Sequence, residues 1–328
     1  VDKHLTTFGS AHNLVINEAI GYVYPVGTNQ YSGGPHFINI QDPLNPIDEG
    51  GFSESGYSHD GQVVTYNGPD EEHHGKEIFI GSNENEIAIV DITNKNNPNS
   101  LSTISYSNVA YTHQGWFTED QRYFIVGDEI DELNVGFNTR TIILDFEDLD
   151  NPSFHFEYEG PTEAIDHNGY VVGDKYYLSN YRAGMRVLDI SQIGNENITE
   201  VGFFDTYPDS DSANFNGAWN VYPFFASGNI VISDIDSGFF LVRDPSLGAA
   251  DVTLIDFEIA PNPAKENITI TATSEPIESV EIFNILGQRV LNLVFDATPS
   301  KNINITSLIG GMYLIKINEE TTKRLIVK

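Results

Sequence analysis

The chain has 328 residues, with 48 acidic and 16 basic side chains, a formal net charge of −32 and no cysteine. A surface this acidic repels nucleic-acid phosphates and anionic lipid, and a chain without cysteine has neither disulfides nor thiolate metal sites. No apolar run approaches the roughly 20 residues of a membrane span, so we expect no transmembrane segment.

Charge and composition both indicate two domains. Residues 1–252 carry 39 acidic and 9 basic side chains, a net charge of −30, whereas residues 253–328 carry 9 and 7, a net charge of −2. The 28 Gly, 20 Phe and 16 Tyr, with only two Met, favour short strands and turns over helices. We expect an all-β protein with a larger domain at 1–250, a linker at 251–257 and a smaller domain at 258–328.

A unit of about fifty residues recurs five times in the first domain. The copies open at His12, His59, His113, His167 and Trp219, which are separated by 47, 54, 54 and 52 residues. Two apolar runs follow each opening, and a weaker fourth run closes four of the copies. Four short strands per repeat predict the blades of a β-propeller, with five blades visible and a ring that is incomplete at its N-terminal side. A solenoid of β-hairpins is the alternative, but solenoid repeats are usually shorter and more regular.

In the second domain, residues 268–272, 280–285 and 312–318 are apolar runs separated by Gly, Pro and Asn turns. Runs of this length, bounded by such residues, are typical of strands. They predict a small Ig-like β-sandwich.

Several strings resemble known bacterial families. IAIVDI (87–92) and RVLDI (186–190) resemble the LVIVD repeat, while NGPD (67–70) and YTHQGW (111–116) resemble the choice-of-anchor B family of surface proteins. The resemblance covers residues 10–241. It implies a propeller that is displayed outside the cell and has no established activity, and family members carry further repeats upstream.

The C-terminal strings PNP (261–263), VEIFNILGQRV (280–290), GGMYLIKI (310–317) and KRLIVK (323–328) resemble a type A sorting domain of the type IX secretion system. The residues that carry this resemblance are Pro261, Asn262, Pro263, Gly287, Gly311, Lys323 and Arg324. It implies the type IX secretion machinery as a partner and a Bacteroidota-type Gram-negative host. It also implies signal-peptide-dependent export to the outer-membrane surface or the extracellular space.

In a propeller, the loop that enters the innermost strand and the loop between the second and third strands open on the same face. We therefore expect His12, His59, His113 and His167 around the mouth of the central channel, with Trp219 and Arg182 beside them as ligand-binding residues. Carboxylates in the facing loops extend the set. The candidate metal ligands are His59, His113, His167, Glu84, Asp128, Glu129 and Asp234.

Imidazoles with carboxylates suit zinc, and carboxylates with amide oxygens suit calcium. In the competing interpretation, each histidine only hydrogen-bonds to the neighbouring blade and recurs because the blade recurs. His73 and His74 fall in a turn that opens on the opposite face, where we expect an exposed polar loop.

The sequence contains no nucleophile elbow, phosphate-binding loop, dinucleotide fingerprint or HExxH helix. We therefore expect a secreted or surface-displayed module that binds a cation, a glycan or a protein. The alternative is an extracellular metal-dependent hydrolase that uses the histidines and carboxylates at the channel mouth.

Overall fold

The computed structural model describes residues 5–243, 257–272, 276–284, 288–318 and 321–328, without the side chains of Thr321, Thr322 and Arg324. The chain divides into two compact units, Val1–Asp244 and Pro245–Lys328. The expected linker at 251–257 lies outside the described residues except for Phe257. Within the described ranges, no helix is both long and apolar enough to cross a membrane.

Residues 5–243 of the first unit form five antiparallel sheets, in each of which consecutive strands pair in chain order. Blade 1 contains β1 (Asn13–Asn17), β2 (Tyr22–Val26), β3 (His36–Asn39) and β4 (Ile47–Gly51). Blade 2 contains β5 (Asp60–Thr65), β6 (Glu77–Ser82), β7 (Ile87–Asp91) and β8 (Asn99–Ile104). Blade 3 contains β9 (Thr112–Phe117), β10 (Tyr123–Asp128), β11 (Arg140–Asp145) and β12 (Ser153–Glu159), with the short helix α1 (Asp131–Asn134) between β10 and β11.

The last two blades continue the pattern. Blade 4 contains β13 (Gly169–Val172), β14 (Lys175–Ser179), β15 (Met185–Gln192) and β16 (Asn197–Phe204). Within the residues that the structure describes, blade 5 contains β17 (Ala218–Tyr222), β18 (Asn229–Asp234) and β19 (Gly238–Arg243). Three 3-10 turns, Tyr31–Gly33, Glu71–His73 and Ile193–Asn195, lie in the connections. The first strands of successive blades pack side by side in the order β1, β5, β9, β13, β17. This confirms the predicted propeller blades.

Each central blade is apolar on both faces because alternate side chains of a strand enter different interfaces. In β6, Ile78 and Ile80 pack towards blade 3, whereas Phe79 packs towards blade 1. In β10, Phe124 packs towards blade 2, whereas Ile125 packs towards blade 4. A blade therefore buries its faces only when it has a neighbour on each side.

A glycine two residues after the histidine recurs in blades 2, 3 and 4, as the tripeptides HDG, HQG and HNG. A Cβ at Gly115 would lie 2.2 Å from Cε1 of Phe124 in β10. Gly61 faces Phe79 and Gly169 faces Tyr176 in the same way, with contacts of 2.7 and 2.0 Å. The aromatic ring of the second strand thus fills the space that a side chain at the glycine would occupy.

The outer faces of the two end blades are partly exposed. Leu14 and Ile16 of β1 are 57% and 48% exposed, and Phe239 and Leu241 of β19 are 64% and 59% exposed. In the described part of the first unit, β17 packs closely against β13 and β14, and no comparable packing joins it to β1. Blades 1 and 5 therefore present apolar side chains that the inner blades bury.

The expectation of an exposed loop at His73 is wrong. His73 is 2% exposed, and its Nε2 lies 2.8 Å from Oδ2 of Asp150 in the next blade. Lys76 Nζ lies 3.0 Å from its Nδ1, and Asp70 accepts a hydrogen bond from the backbone N–H of Leu149 at 2.9 Å. These contacts join the turn after β5 to the turn after β11. The turn is therefore exposed at Glu71, Glu72 and His74, as expected, whereas His73 is buried by its contacts with the next blade.

The second unit is a two-sheet sandwich, as predicted. One sheet has the order β20 (Phe257–Ala260), β21 (Asn267–Ala272), β24 (Ser300–Asn304). The other has the order β23 (Arg289–Thr298), β22 (Ile277–Asn284), β25 (Gly311–Ile317), β26 (Thr321–Val327). Its core joins both sheets through buried side chains such as Ile268, Ile270, Val280, Ile282 and Ile315.

The residues that resemble a sorting motif lie where the two ends of this unit meet. Asn262 accepts a hydrogen bond from the backbone N–H of Ile326 at 2.9 Å, and Lys323 Nζ donates to the carbonyl oxygen of Phe257. Cis peptide bonds precede Pro261 and Pro263, and Gly311 pairs with Val327. Gly287 and the side chain of Arg324 lie outside the described residues.

Replacing Gly115 with Ala should destabilise the first unit by about 1–3 kcal/mol, because the new methyl group overlaps the ring of Phe124. Urea unfolding followed by tryptophan fluorescence measures this, since Trp116 and Trp219, the two tryptophans of the chain, both lie in the first unit.

The Phe124→Leu variant should relieve the clash, so the double variant should lose at least about 0.5 kcal/mol less than the sum of the single changes. Gly202→Ala is the matched control, because its Cβ would meet only Val187, at 4.0 Å. Equal losses at positions 115 and 202 would contradict this account of the recurring glycine.

Candidate functional site

Four histidines occupy equivalent positions at the starts of the inner strands. His12, His59 and His167 donate their backbone N–H groups to the second strand of their own blade, to Val26, Ser82 and Ser179, at 2.8–2.9 Å. His113 is the second residue of β9. We call His12, His59, His113 and His167 the histidine row.

The rings of the histidine row lie against one another across the blade interfaces. Ring centroids are 3.8 Å apart for His12 and His59, 4.4 Å for His59 and His113, and 4.3 Å for His113 and His167. Trp219 of blade 5 continues the series at 4.4 Å from His167. The residues that begin the five repeats thus form one continuous row of aromatic rings.

Hydrogen bonds to backbone carbonyls determine which imidazole nitrogen carries the proton. His59 Nδ1 lies 3.3 Å from the carbonyl oxygen of His113, and His167 Nδ1 is hydrogen-bonded to the carbonyl oxygen of Trp219. A carbonyl only accepts, so Nδ1 donates in both rings. Nε2 is therefore the nitrogen with the free lone pair.

Burial keeps these rings neutral. It lowers the pKa of His59 and His167 to about 4 and that of His113 well below its usual range, and neighbouring imidazoles lower the pKa of all three further. At neutral pH His59 and His167 are bases without a proton on Nε2, which is the form that binds a metal ion, and His113 is likewise uncharged.

Glu129, in the loop between β10 and β11, reaches two members of the row. Its Oε2 lies 3.7 Å from His113 Nε2 and its Oε1 lies 3.7 Å from His167 Nε2. Tyr181 donates a hydrogen bond to Oε1 at 2.7 Å, and burial raises the pKa of Glu129. One ligand atom from each of His113, Glu129 and His167 lies within 4.8 Å of the other two. We call these three residues the channel triad.

The other expected metal ligands have different partners. Asp128 accepts hydrogen bonds from the backbone N–H groups of Ala110 and Tyr111 at 2.8 and 2.6 Å. Glu84 accepts from the hydroxyl of Tyr111 at 3.1 Å. Asp234 accepts from the amides of the turn that follows it. These three carboxylates and His59 lie outside the channel triad. The sequence alone could not distinguish the members of the triad from these other candidates.

Arg182 contacts the segment 212–216, whereas Trp219 contacts the histidine row. Arg182 donates to Oδ1 of Asn216 at 2.7 Å and to Oγ of Ser212 at 2.8 Å. Trp219 is 46% exposed, so one part of its indole is available to a ligand while the other part covers His167.

The histidine row and Trp219 line a cavity of about 190 Å³. Beneath them lie Asp60 and Tyr170, together with the amides Asn13, Asn168 and Asn220. Burial raises the pKa of Asp60 to about 7. Sequence reasoning missed Asp60, although a signal was present: it follows the repeat histidine at a position where the other repeats have Asn or Gln. A larger groove of about 930 Å³ along β12 includes none of the channel triad.

Residues 258–328 match the family model described as a secretion system C-terminal sorting domain. The C-terminal unit is a sorting domain. It marks the protein as a secreted cargo of the type IX system, which is exported to the cell surface or the extracellular space, and it makes the secretion machinery a partner. The chain matches no protein of curated function.

The chain is also similar to solved structures. A protein from Lactobacillus plantarum is 13% identical with a TM-score of 0.52, and the match covers 92% of this chain and 90% of that one. At this identity the likeness shows the fold alone. PorZ, a surface component of the type-IX secretion system of Porphyromonas gingivalis, is 10% identical with a TM-score of 0.48, over 97% of this chain and 46% of that one. The periplasmic gluconolactonase PpgL of Pseudomonas aeruginosa is 12% identical with a TM-score of 0.46, and the match covers 88% of this chain and 87% of that one.

We expect His59 and His167 to remain neutral and protonated on Nδ1 down to about pH 5, whereas an exposed histidine titrates near 6.5. Because the unfolded chain binds these protons first, both residues should contribute less stability as the pH falls from 6.5 towards 4. Nitrogen-15 NMR of the imidazoles measures the tautomer and the midpoint. Titration midpoints near 6.5 would show that the rings are not buried as described.

Proposed function

We propose that this protein is a secreted propeller module of the LVIVD-repeat, choice-of-anchor B kind from a Bacteroidota-type host. We propose further that it binds a divalent transition-metal ion such as zinc at its channel mouth. The ligands are Nε2 of His113, Nε2 of His167 and the carboxylate of Glu129. The observation that carries the proposal is the convergence of these three ligand atoms within 4.8 Å.

The protonation states support a cation at this position. Nδ1 of His167 donates to a backbone carbonyl, so its Nε2 presents a lone pair to an oxygen of Glu129 that lies 3.7 Å away. Two acceptors facing each other repel unless one gains a proton or a cation lies between them. The pKa of about 4 removes the proton at neutral pH, so His167 and Glu129 form no ion pair there. A divalent ion between the two atoms would relieve this repulsion, as would a proton on Glu129, whose pKa burial raises.

The spacing also suits zinc. Ligand atoms about 2.0–2.1 Å from a tetrahedral ion are about 3.4 Å apart. Each Nε2 lies 3.7 Å from a different oxygen of Glu129, so these two contacts are within a few tenths of an ångström of that separation, and all three ligand atoms already lie within 4.8 Å of one another. The Nδ1 donation of His167 and the hydroxyl of Tyr181 on Glu129 are the outer contacts that orient metal ligands in proteins.

One observation favours a hydrolytic form of this function. Three protein ligands are the number that catalytic zinc sites use, which leaves a fourth position for water. Asp60 lines the same cavity, and its pKa of about 7 suits a group that accepts and returns a proton near neutral pH. Asp60→Asn should then abolish hydrolysis while leaving the metal content unchanged.

The full chain, purified without a tag, should contain about one zinc ion per molecule by mass spectrometry. His113→Gln, His167→Gln and Glu129→Gln should each lower zinc affinity at least about tenfold, because each removes one of only three ligands. His59→Gln is the matched control, since His59 lies in the same row outside the channel triad. The proposal fails if the purified chain binds no zinc on titration, or if His59→Gln and His167→Gln lose zinc equally.

Deleting residues 256–328 should leave the first unit folded but retained in the periplasm of the native host. The sorting domain has its own core, so its removal should not affect packing in the propeller. Cell fractionation with limited proteolysis measures location and folding together. Attaching residues 258–328 to an unrelated periplasmic protein is the positive control, and normal export of the truncated chain would refute the role.

A further inference from the structure

The cavity of about 190 Å³ under the histidine row is lined by more than the candidate metal ligands. Its wall is completed by polar residues from the inner strands of four blades, whereas Glu129 of the channel triad does not line it. These residues are Asn13 in β1, Asp60 in β5, Asn168 directly before β13, Tyr170 in β13 and Asn220 in β17. We call these five residues the polar wall.

Four members of the polar wall occupy one position of the repeat. Asparagine and aspartate are disfavoured in strands, so their recurrence beside the repeat His or Trp needs a physical reason. In blade 3 packing supplies one, because Oε1 of Gln114 accepts a hydrogen bond from the backbone N–H of Gly169 in the next blade at 3.0 Å. The equivalent residues of the other blades line the cavity instead, namely Asn13, Asp60, Asn168 and Asn220.

Two pairs within the polar wall fix each other, which leaves Asn168 over. Asn13 hydrogen-bonds to Asp60, and Asn220 hydrogen-bonds to Tyr170. Asn168 is 8% exposed, and its Oδ1 is buried without a hydrogen-bond partner. A buried acceptor that stays unsatisfied costs free energy. A ligand that donates a hydrogen bond in the cavity would remove this cost.

Trp219 adds an apolar surface to the same cavity. Its indole is 46% exposed, so part of the ring is available to a ligand. His167 holds the ring from one side at 4.4 Å between centroids, and Tyr181 contacts it edge-on at 6.0 Å. A half-exposed aromatic ring in a fixed orientation is a stacking surface.

Charge and size narrow the class of ligand. Burial lowers the pKa of His59, His113 and His167, so these rings carry no charge at neutral pH. Among the described residues that line the cavity there is no Lys or Arg to neutralise an anion, and residues 1–252 have a net charge of −30. The volume lies below the range of about 300–1,000 Å³ that is typical of pockets for drug-sized molecules. The ligand is therefore small and not anionic.

We infer that this cavity binds one neutral sugar ring, the terminal unit of a glycan outside the cell. A hydroxyl group both donates and accepts hydrogen bonds, and the amide groups of the polar wall offer the same two functions. The C–H groups on one face of a sugar ring pack against an indole as other apolar surfaces do. The sorting domain directs the chain to the cell surface or the extracellular space, where glycans are accessible.

The inference goes beyond the proposed zinc site and does not require it, because neither Asn168 nor Trp219 belongs to the channel triad. The test uses the full chain and four probes, the methyl glycosides of glucose, galactose, mannose and N-acetylglucosamine. Saturation-transfer NMR detects binding, and tryptophan fluorescence locates it. Trp116→Phe removes the other tryptophan of the chain, so the remaining signal comes from Trp219.

At least one of the four glycosides should bind and change the fluorescence of Trp219. Asn168→Ala and Trp219→Ala should each weaken this binding at least about tenfold, because the first removes a hydrogen-bonding amide and the second removes the stacking surface. Asn96→Ala, at an exposed amide in the turn after β7, is the control and should leave binding unchanged. Glu129→Gln should lose zinc and keep the glycoside, which separates this site from the channel triad.

Two results would overturn the inference. One is a chain to which none of the four glycosides binds, in which case water alone fills the cavity. The other is binding that Asn168→Ala and Trp219→Ala leave unchanged, which would place the sugar elsewhere, such as the groove along β12. Asn168→Ser and Trp219→Phe serve if the alanine variants do not fold. Zinc content measured on the same samples distinguishes a failure of this inference from a failure of the zinc site.

Discussion

The first unit depends on face-to-face packing of sheets that are apolar on both sides. No blade can bury Ile78, Phe79 and their equivalents alone, so each blade is stable only between neighbours. In blades 2, 3 and 4 the glycine two residues after the histidine lets the aromatic ring of the second strand press against the inner strand. The inner strands of successive blades pack side by side, and the histidines at their starts are in ring contact.

The same packing makes the channel mouth chemically unusual. Burial among neighbouring rings lowers the pKa of His59, His113 and His167, and a carbonyl of the next blade holds Nδ1 as the donor in His59 and His167. The lone pair of His167 Nε2 then faces Glu129, which also approaches His113 Nε2. Blades 3 and 4 thus supply all three ligand atoms of the channel triad.

The sorting domain and the channel mouth belong to different units of the chain. The sorting domain has its own sheets and core, and its motif residues join its first and last strands. The charge follows the same division, since the first unit carries nearly all of the net negative charge. Acidity therefore belongs to the exported module, where it favours cationic ligands over phosphates and anionic surfaces.

The sequence by itself determined the all-β class, the five repeats, the sandwich and the face on which the histidines lie, because strand periodicity and turn residues are local signals. Tertiary structure alone decided which candidates converge. His59 and His167 are identical in the repeat pattern, but only His167 meets Glu129, since that contact depends on the loop of a neighbouring blade. Burial likewise distinguished Asp60, His73 and Asn168 from solvated polar residues. Contacts between residues about fifty positions apart leave no local signal in the chain.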